Sequence, residues 1–358
     1  MATRPDLADL DRDGLERLFH DASLPKFRAR QVFRWLYVRG ETDFSRMSDL
    51  GRDLRVLLAE RFRISTPRLV RDERSTDGTR KFLLELADGK RIESVYIPDT
   101  PKQTFCISSQ VGCAMDCDFC LTGKMGFLRH LSPAEITGQV RVLADATGLR
   151  GKPFNIVLMG MGEPLHNYDH VMTSVRILAD ENGFKMPARR MTLSTVGVVP
   201  AMERLASEPI MPNLAVSLHA TTDDQRDRLV PLNRKYRLHD LIDACRRFPL
   251  GRRSRITFEY VLLDGINDTP EDARRLVRLL AGVKGKVNLL PLNAGVGIPY
   301  ERPSDARVNR FAEILAAHGM VVSVRKSRGR DIRAACGQLI VEGQKKAAGQ
   351  RLAALMTE

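Results

Sequence analysis

The chain reads as an α/β protein: a partial (β/α)6 barrel preceded by a small domain of helices and a β-meander. Three observations predict this. From about residue 102 onward, seven short apolar runs recur, most of them separated by helix-period stretches, which is the pattern of βαβ units around a parallel sheet. Before them lie three strand-like runs punctuated by Asp-Gly turn signals. The first 64 residues show apolar recurrence at three and four positions, as amphipathic helices do. A length of 358 residues accommodates a barrel and an appendage. The expected organisation is an accessory domain over 1–101, a barrel over 102–342 and a helical tail over 343–358, with an open doubly wound sheet as the alternative topology.

In chain order, LADLDRDGLERLFHDA and FRARQVFRWLYVRG predict helices. PRLVRDERS, RKFLLELA and RIESVYI predict a meander, turning at STDGT and ADGK. The barrel strands are expected at TFCIS, FNIVLMG, MTLSTVG, NLAVSLH, ITFEYVLL, VNLLPLN and VVSVRK, six units and a last strand. Two of the intervening helices open on strong start signals. Ser132 with Pro133 and Glu135 forms a capping-box pattern, and Thr269 with Pro270 opens the second.

Composition narrows the function. No apolar run reaches the eighteen residues needed to span a bilayer, and the polar, acidic N-terminus lacks the apolar stretch of a secretory signal. No membrane association and a cytoplasmic location are therefore expected. The formal net charge of +13 favours a polyanionic partner. The excess is local, with five basic and no acidic residues over 23–40, and five basic and one acidic over 325–333. Phe27, Phe33 and Trp35, interleaved with the first of these basic segments, are expected to face the small domain's core.

Four of the six cysteines fall in CISSQVGCAMDCDFC, the last three spaced C-x3-C-x2-C. Cys113, Cys117 and Cys120 can converge because one eight-residue loop carries all three. A structural zinc site ordinarily takes four ligands, and Cys106 is a candidate fourth despite its strand-like neighbours. Three soft thiolates alone suit an iron-sulfur cluster with an open iron. Cys245, in an amphipathic helix, reads as a structural thiol.

Polar motifs stand at the ends of successive strands: GMGEP (160–164), STVG (194–197), SLHA (217–220) and LNAG (292–295). In β/α barrels this end carries the chemistry. Gly160 and Gly162 would permit close backbone approach to a ligand, and Glu163, Ser194, Ser217, His219 and Asn293 would hydrogen-bond it. Singly these are a turn glycine, a capping serine, a satisfied histidine and a loop asparagine; together they point to one ligand site.

The cysteine spacing in a loop after the first β/α strand resembles the radical S-adenosylmethionine (SAM) superfamily. Through SSQVGCAMDCDFC, LMGMGEPLHN, RMTLSTVG, SLHATTDDQRDRLVPLN, TFEYVLLDGIND, KVNLLPLN and SRGRDIRAACGQL the chain resembles, almost continuously over 106–339, the radical-SAM RNA adenine methyltransferases of the RlmN/Cfr family. The resemblance implies that Cys113, Cys117 and Cys120 hold one 4Fe-4S cluster. It assigns Gly162, Glu163, Ser194, Ser217, Leu218, His219 and Asn293 to SAM, used twice per turnover. Cys336 becomes the S-methylated cysteine, Cys106 its resolving partner and Glu93 the proton acceptor. The implied reaction is C2 methylation of adenine in 23S rRNA at the peptidyl-transferase centre, and in tRNA beside the anticodon. An electron donor such as flavodoxin and a thiol reductant for the Cys106–Cys336 disulfide are implied with it, and Cfr-type C8 methylation is the alternative. Thr221, Thr222 and Ala294 depart from the family pattern at positions without an assigned role. A radical-SAM enzyme acting on a small molecule or protein, and a zinc-stabilised nucleic-acid-binding module, are the rivals from other classes.

Overall fold

The computed structural model describes residues 4–98, 103–293, 295 and 297–341, so the tail expected over 343–358, the junction near residue 101 and Ala294 lie outside the described residues. Twelve strands are present among them: β1 (Arg68–Arg74), β2 (Arg80–Glu85), β3 (Arg91–Ile97), β4 (Thr104–Cys106), β5 (Gln110–Gly112), β6 (Phe127–His130), β7 (Asn155–Leu158), β8 (Met191–Thr195), β9 (Asn213–Ser217), β10 (Ile256–Leu262), β11 (Gly285–Pro291) and β12 (Val322–Val324). All except β5 and β6 join one sheet in the order β1-β2-β3-β4-β7-β8-β9-β10-β11-β12. From β4 to β12 every neighbouring pair is parallel. Each crossover contains at least one helix, and the two predicted helix starts are closed capping boxes at Ser132 and Thr269. The sheet curves, because residues of β7 to β11, and Arg325 just past β12, line one cavity, and its ends do not meet, as in a partial barrel.

The meander is continuous with this sheet. β3 runs antiparallel to β4 with Val95 opposite Cys106, so the strands of residues 68–97 extend the barrel's edge. The helices Arg12–Asp21, Lys26–Arg34 and Arg52–Arg61 enclose a separate core of Leu15, Phe19, Val32, Phe33 and Leu58. That core reaches Ala134 and Ile177 on two barrel helices. Polar contacts reinforce the join: Asp9 accepts from the Ala134 amide at 2.9 Å, and Arg12 and Arg176 pair with Asp180 and Asp11. Phe33 and Trp35 are buried as expected, but Phe27 is 53% exposed beneath Arg28, because it falls on the solvent side of its helix. No described helix is long and apolar enough to cross a membrane.

The hairpin of β5 and β6 encloses the cysteine loop and the short helix Leu121–Met125. It closes so tightly that a Cβ on Gly112, at φ +77°, would stand 1.9 Å from the Gly126 carbonyl oxygen. Only glycine satisfies both the left-handed backbone and the contact. Gly112→Ala is expected to cost about 1–3 kcal/mol and to lower the iron retained per chain. Urea unfolding and iron analysis of the full-length variant check this; unchanged values for both would refute it.

Candidate active site

Cys113, Cys117 and Cys120 follow β5 and line a single cavity at the C-terminal ends of the barrel strands. Their loop is held from several sides. The Cys113 amide donates to Gly126, the Asp118 amide to Leu229 at 3.1 Å, and the Tyr300 hydroxyl to Asp118 at 2.6 Å. Ala114 and Met115 anchor it in a small core with Leu229, Leu232 and Tyr300. Burial keeps the Cys113 and Cys117 thiols well above their ordinary pKa, so as thiolates they require a metal centre to stabilise the charge.

The residues present fit such a centre. The three thiols act on one another electrostatically and line one cavity. Three soft thiolates without a fourth suit an iron-sulfur cluster with an open iron. Behind Cys117 the fully buried Arg226 guanidinium donates only to neutral acceptors: the carbonyls of Leu218 (3.1 Å), Val196 (2.5 Å) and Ser217 (3.2 Å) and the side chain of Asn233 (3.2 Å). Burial lowers its pKa to about 10, and Cys117 is the foremost group opposing that shift. A buried cation without a carboxylate on its fork is suited to a neighbouring anionic thiolate cluster.

The strand-end residues gather at the same cavity. Gly162, Glu163, Ser194, Ser217, His219 and Asn293 all line it. Glu163 uses its two oxygens on the Leu165 and Val196 amides, at 2.9 Å each, and burial raises its pKa to about 7. Ser194 and Ser217 hydroxyls stand 3.4 Å apart. His219 accepts the Val261 amide on Nδ1 at 3.0 Å, which puts its proton on Nε2 in the neutral ring. Burial, with Arg226 nearby, lowers its pKa to about 3. Asn293 donates to the Cys336 carbonyl, while its own buried Oδ1 has no partner among the described residues. A buried acceptor of that kind awaits a donor from a ligand.

Gly160 and Gly162 line the cavity and are also packed within the protein: a Cβ would meet Ile107 and Ser108 at 2.7–2.8 Å on the first and Gln110 at 2.6 Å on the second. Leu218 does not line the cavity; its side chain is wholly buried, its amide donates to Glu259 and its carbonyl accepts from Arg226.

Cys336 is exposed and borders this cavity. It rides on a strap of residues 329–341 fastened across the barrel mouth. On the meander side Asp77 accepts from the Gly329 amide (2.9 Å), and Asp331 accepts from the Ser75 hydroxyl (2.6 Å). On the cluster side the Leu121 amide donates to Gly337 (2.8 Å) and the Thr122 hydroxyl to Leu339 (2.7 Å). Cys106, at the end of β4, is buried; that burial, with Cys336 acting the same way, pushes its thiol up to about 12. Glu93 does not line this cavity; it lies in a separate cleft, held by Lys81 at 3.1 Å and by the Ile340 amide of the strap at 2.9 Å. Cys245 packs in the core, in keeping with its structural reading. Thr222 caps the helix Asp223–Leu229, and Thr221 donates to Asp272, so both departures are structurally satisfied.

Sequence reasoning passed over Arg226, Glu259 and Arg325. Glu259 and Arg325 line the cavity, and Arg226 braces its wall. The available signal was a lone carboxylate at an inward position of the apolar strand ITFEYVLL.

Family models match in two places: the ribosomal RNA large subunit methyltransferase N-terminal domain over residues 5–64 and the radical SAM superfamily over residues 107–280. The dual-specificity RNA methyltransferase RlmN of Geobacter sulfurreducens is 50% identical over 339 residues, covering 95% of this chain and 93% of that protein. The corresponding protein of Anaeromyxobacter dehalogenans is 47% identical, covering 99% and 96%. The crystal structure of a radical SAM methyltransferase from Sphaerobacter thermophilus superposes with a TM-score of 0.89 at 47% identity, covering 94% of this chain and 99% of that one.

Arg226→Met should strand the carbonyls of Val196, Ser217 and Leu218 and cost about 3 kcal/mol. Arg226→Lys should recover only part, since an ammonium cannot reproduce the fork. Urea unfolding under anaerobic conditions measures both; a Met variant within about 0.5 kcal/mol of the parent would contradict the assignment.

Proposed function

The chain belongs to the RlmN family of dual-specificity RNA methyltransferases in the radical SAM superfamily, and from that premise we propose that it forms 2-methyladenosine in 23S rRNA, at the peptidyl-transferase centre, and in tRNA, at the adenosine 3′ to the anticodon. One observation carries the reading: three thiols, the polar strand ends and the exposed Cys336 meet at one cavity. The superfamily's 4Fe-4S cluster and SAM supply, when bound, a methyl group and one-electron radical chemistry.

In this reading Cys113, Cys117 and Cys120 hold the cluster. Gly162, Glu163, Ser194, Ser217, His219 and Asn293 hold SAM, and Leu218 acts through the shape of its strand end. Adenine C2 lies between two ring nitrogens and is not nucleophilic, so direct attack on an electrophilic methyl group fails. Cys336 answers this by carrying the methyl carbon as a thioether and presenting it to the base. Glu93, a buried carboxylate that Lys81 holds ready, takes the C2 proton. Cys106 then gives up its thiol proton and bonds to the Cys336 sulfur as the bond from that sulfur to the carbon, by then joined to C2, breaks. The carbon keeps that electron pair and takes a proton to become the methyl group, which releases the RNA and leaves a disulfide for a thiol reductant to reopen. An adenine within folded RNA must be splayed out to reach the strap. The exposed basic residues of 325–333 beside Cys336 suit the arriving phosphates. A flavodoxin-type electron donor and a cytoplasmic setting complete the proposal. The RlmN name carried by the relatives favours C2 over C8.

Three measurements test it. Digestion of RNA treated with the anaerobic, reduced enzyme should release 2-methyladenosine; 8-methyladenosine would overturn the choice of carbon. Cys117→Ala should lose the brown iron-sulfur absorbance of the parent. Cys106→Ala expressed in cells should carry RNA covalently joined to Cys336 by mass spectrometry, and neither adduct nor methyl there would refute the Cys336 role.

A further inference from the structure

Glu259 sits midway along β10, in register with Ser217 on β9 and Asn288 on β11. Its side chain borders the cavity, and the residue is only 6% exposed. A row of polar side chains fixes it: Oε1 accepts from Asn288 Nδ2 at 3.0 Å, and Asn288 Oδ1 accepts from the Ser323 hydroxyl at 2.6 Å. Oε2 is equally buried and has no partner among the described residues. Burial raises the carboxyl above its usual range, and Arg325 is the first of the groups opposing that shift. An unused buried acceptor costs on the order of 1–3 kcal/mol unless a ligand brings a donor. Neither the metal centre nor methyl transfer through Cys336 and Cys106 requires a carboxylate at this place.

We propose that Glu259 is a specificity-determining residue whose free oxygen accepts a hydrogen bond from the exocyclic amino group of an adenine. The inference rests on the proposed function, which brings two adenines to this cavity, that of SAM and that of the RNA. Both present a neutral N–H donor at carbon 6. At the same place guanine and at the corresponding place uracil present a carbonyl oxygen, which a carboxylate oxygen repels. Glu259 and Arg325 both act electrostatically on Cys336, which favours the RNA base as the source. A site built to hydrogen-bond an amino group rejects the analogue lacking it, because its own polar atom is then left unpaired.

The test compares binding of paired ligands to the full-length, cluster-loaded protein: an RNA stem-loop with adenine or purine at the target position, and SAM or its analogue lacking the 6-amino group. The parent should prefer the amino-bearing member of one pair by about ten- to a hundred-fold. Glu259→Ala should bring that preference within about twofold, the residue expected when a hydrogen bond has lost its partner. Loss of discrimination in the RNA pair assigns the amine to the target base, and loss in the SAM pair assigns it to the cofactor. If Glu259→Ala does not fold, Glu259→Met keeps the side-chain length without an oxygen acceptor and is measured in its place. A folded variant that keeps the parent's discrimination in both pairs overturns the proposal, as does a parent with no preference in either. Methylation of the adenine RNA by the parent is followed in parallel, so failure of the proposed function shows as absence of methyladenosine, independently of Glu259.

Discussion

Parallel strands that curve into a barrel leave carbonyl oxygens at their C-terminal ends with no further strand to receive, and the buried guanidinium of Arg226 answers that need. One planar fork takes the oxygens of Val196, Ser217 and Leu218, so it sets the spacing of the ends of β8 and β9. Ser194, Ser217 and His219 stand on those ends, and Cys117 faces the same charge. A buried charge is expensive in isolation. Here it is stabilised by peptide dipoles on one side and suited to thiolates on the other, so the wall of the cavity and the cysteine loop share one electrostatic origin.

A second network holds Glu93 and the segment after Cys106 at the other edge of the barrel. The Gln139 side chain bonds both the amide and the carbonyl of Ser108, and the Ser108 hydroxyl links the Glu93 carbonyl to the Met161 amide. Three segments, β3, the residues after β4 and the loop after β7, are thereby locked together two residues beyond Cys106. Rigid backbone of this kind positions a thiol more sharply than a free loop would.

Much of this was readable in the residues, and the exceptions have physical causes. The strands followed from apolar runs and the helix starts from Ser132 and Thr269, because hydrophobic period and capping are local properties. The cysteine loop was likewise visible, since its spacing is its chemistry. Arg226 was not, because DDQRDR looks like a solvated helical face until the fold turns one arginine inward. Gly162 lines the cavity as its motif suggests, while its further task, leaving room for Gln110 where a Cβ would stand, depends on tertiary packing that no motif records. Continuity of the meander with the barrel also escaped notice, since pairing between β3 and β4 is a tertiary choice that leaves no periodic trace. Phe27 shows the limit of reading aromatics as core, for it precedes the buried Phe33 by about one and two-thirds turns of helix and so falls on another face.

The strap has a consequence for biosynthesis. Cys106 is translated early and Cys336 near the end of the chain, and the strap's fastenings, Asp77, Leu121 and Thr122, all precede it. Because chains fold from the N-terminus as they emerge, the barrel and its cysteine loop can form before the second thiol exists. A chain that stops short of residue 336 therefore has the barrel's strands and the cysteine loop but lacks the exposed thiol that borders the cavity.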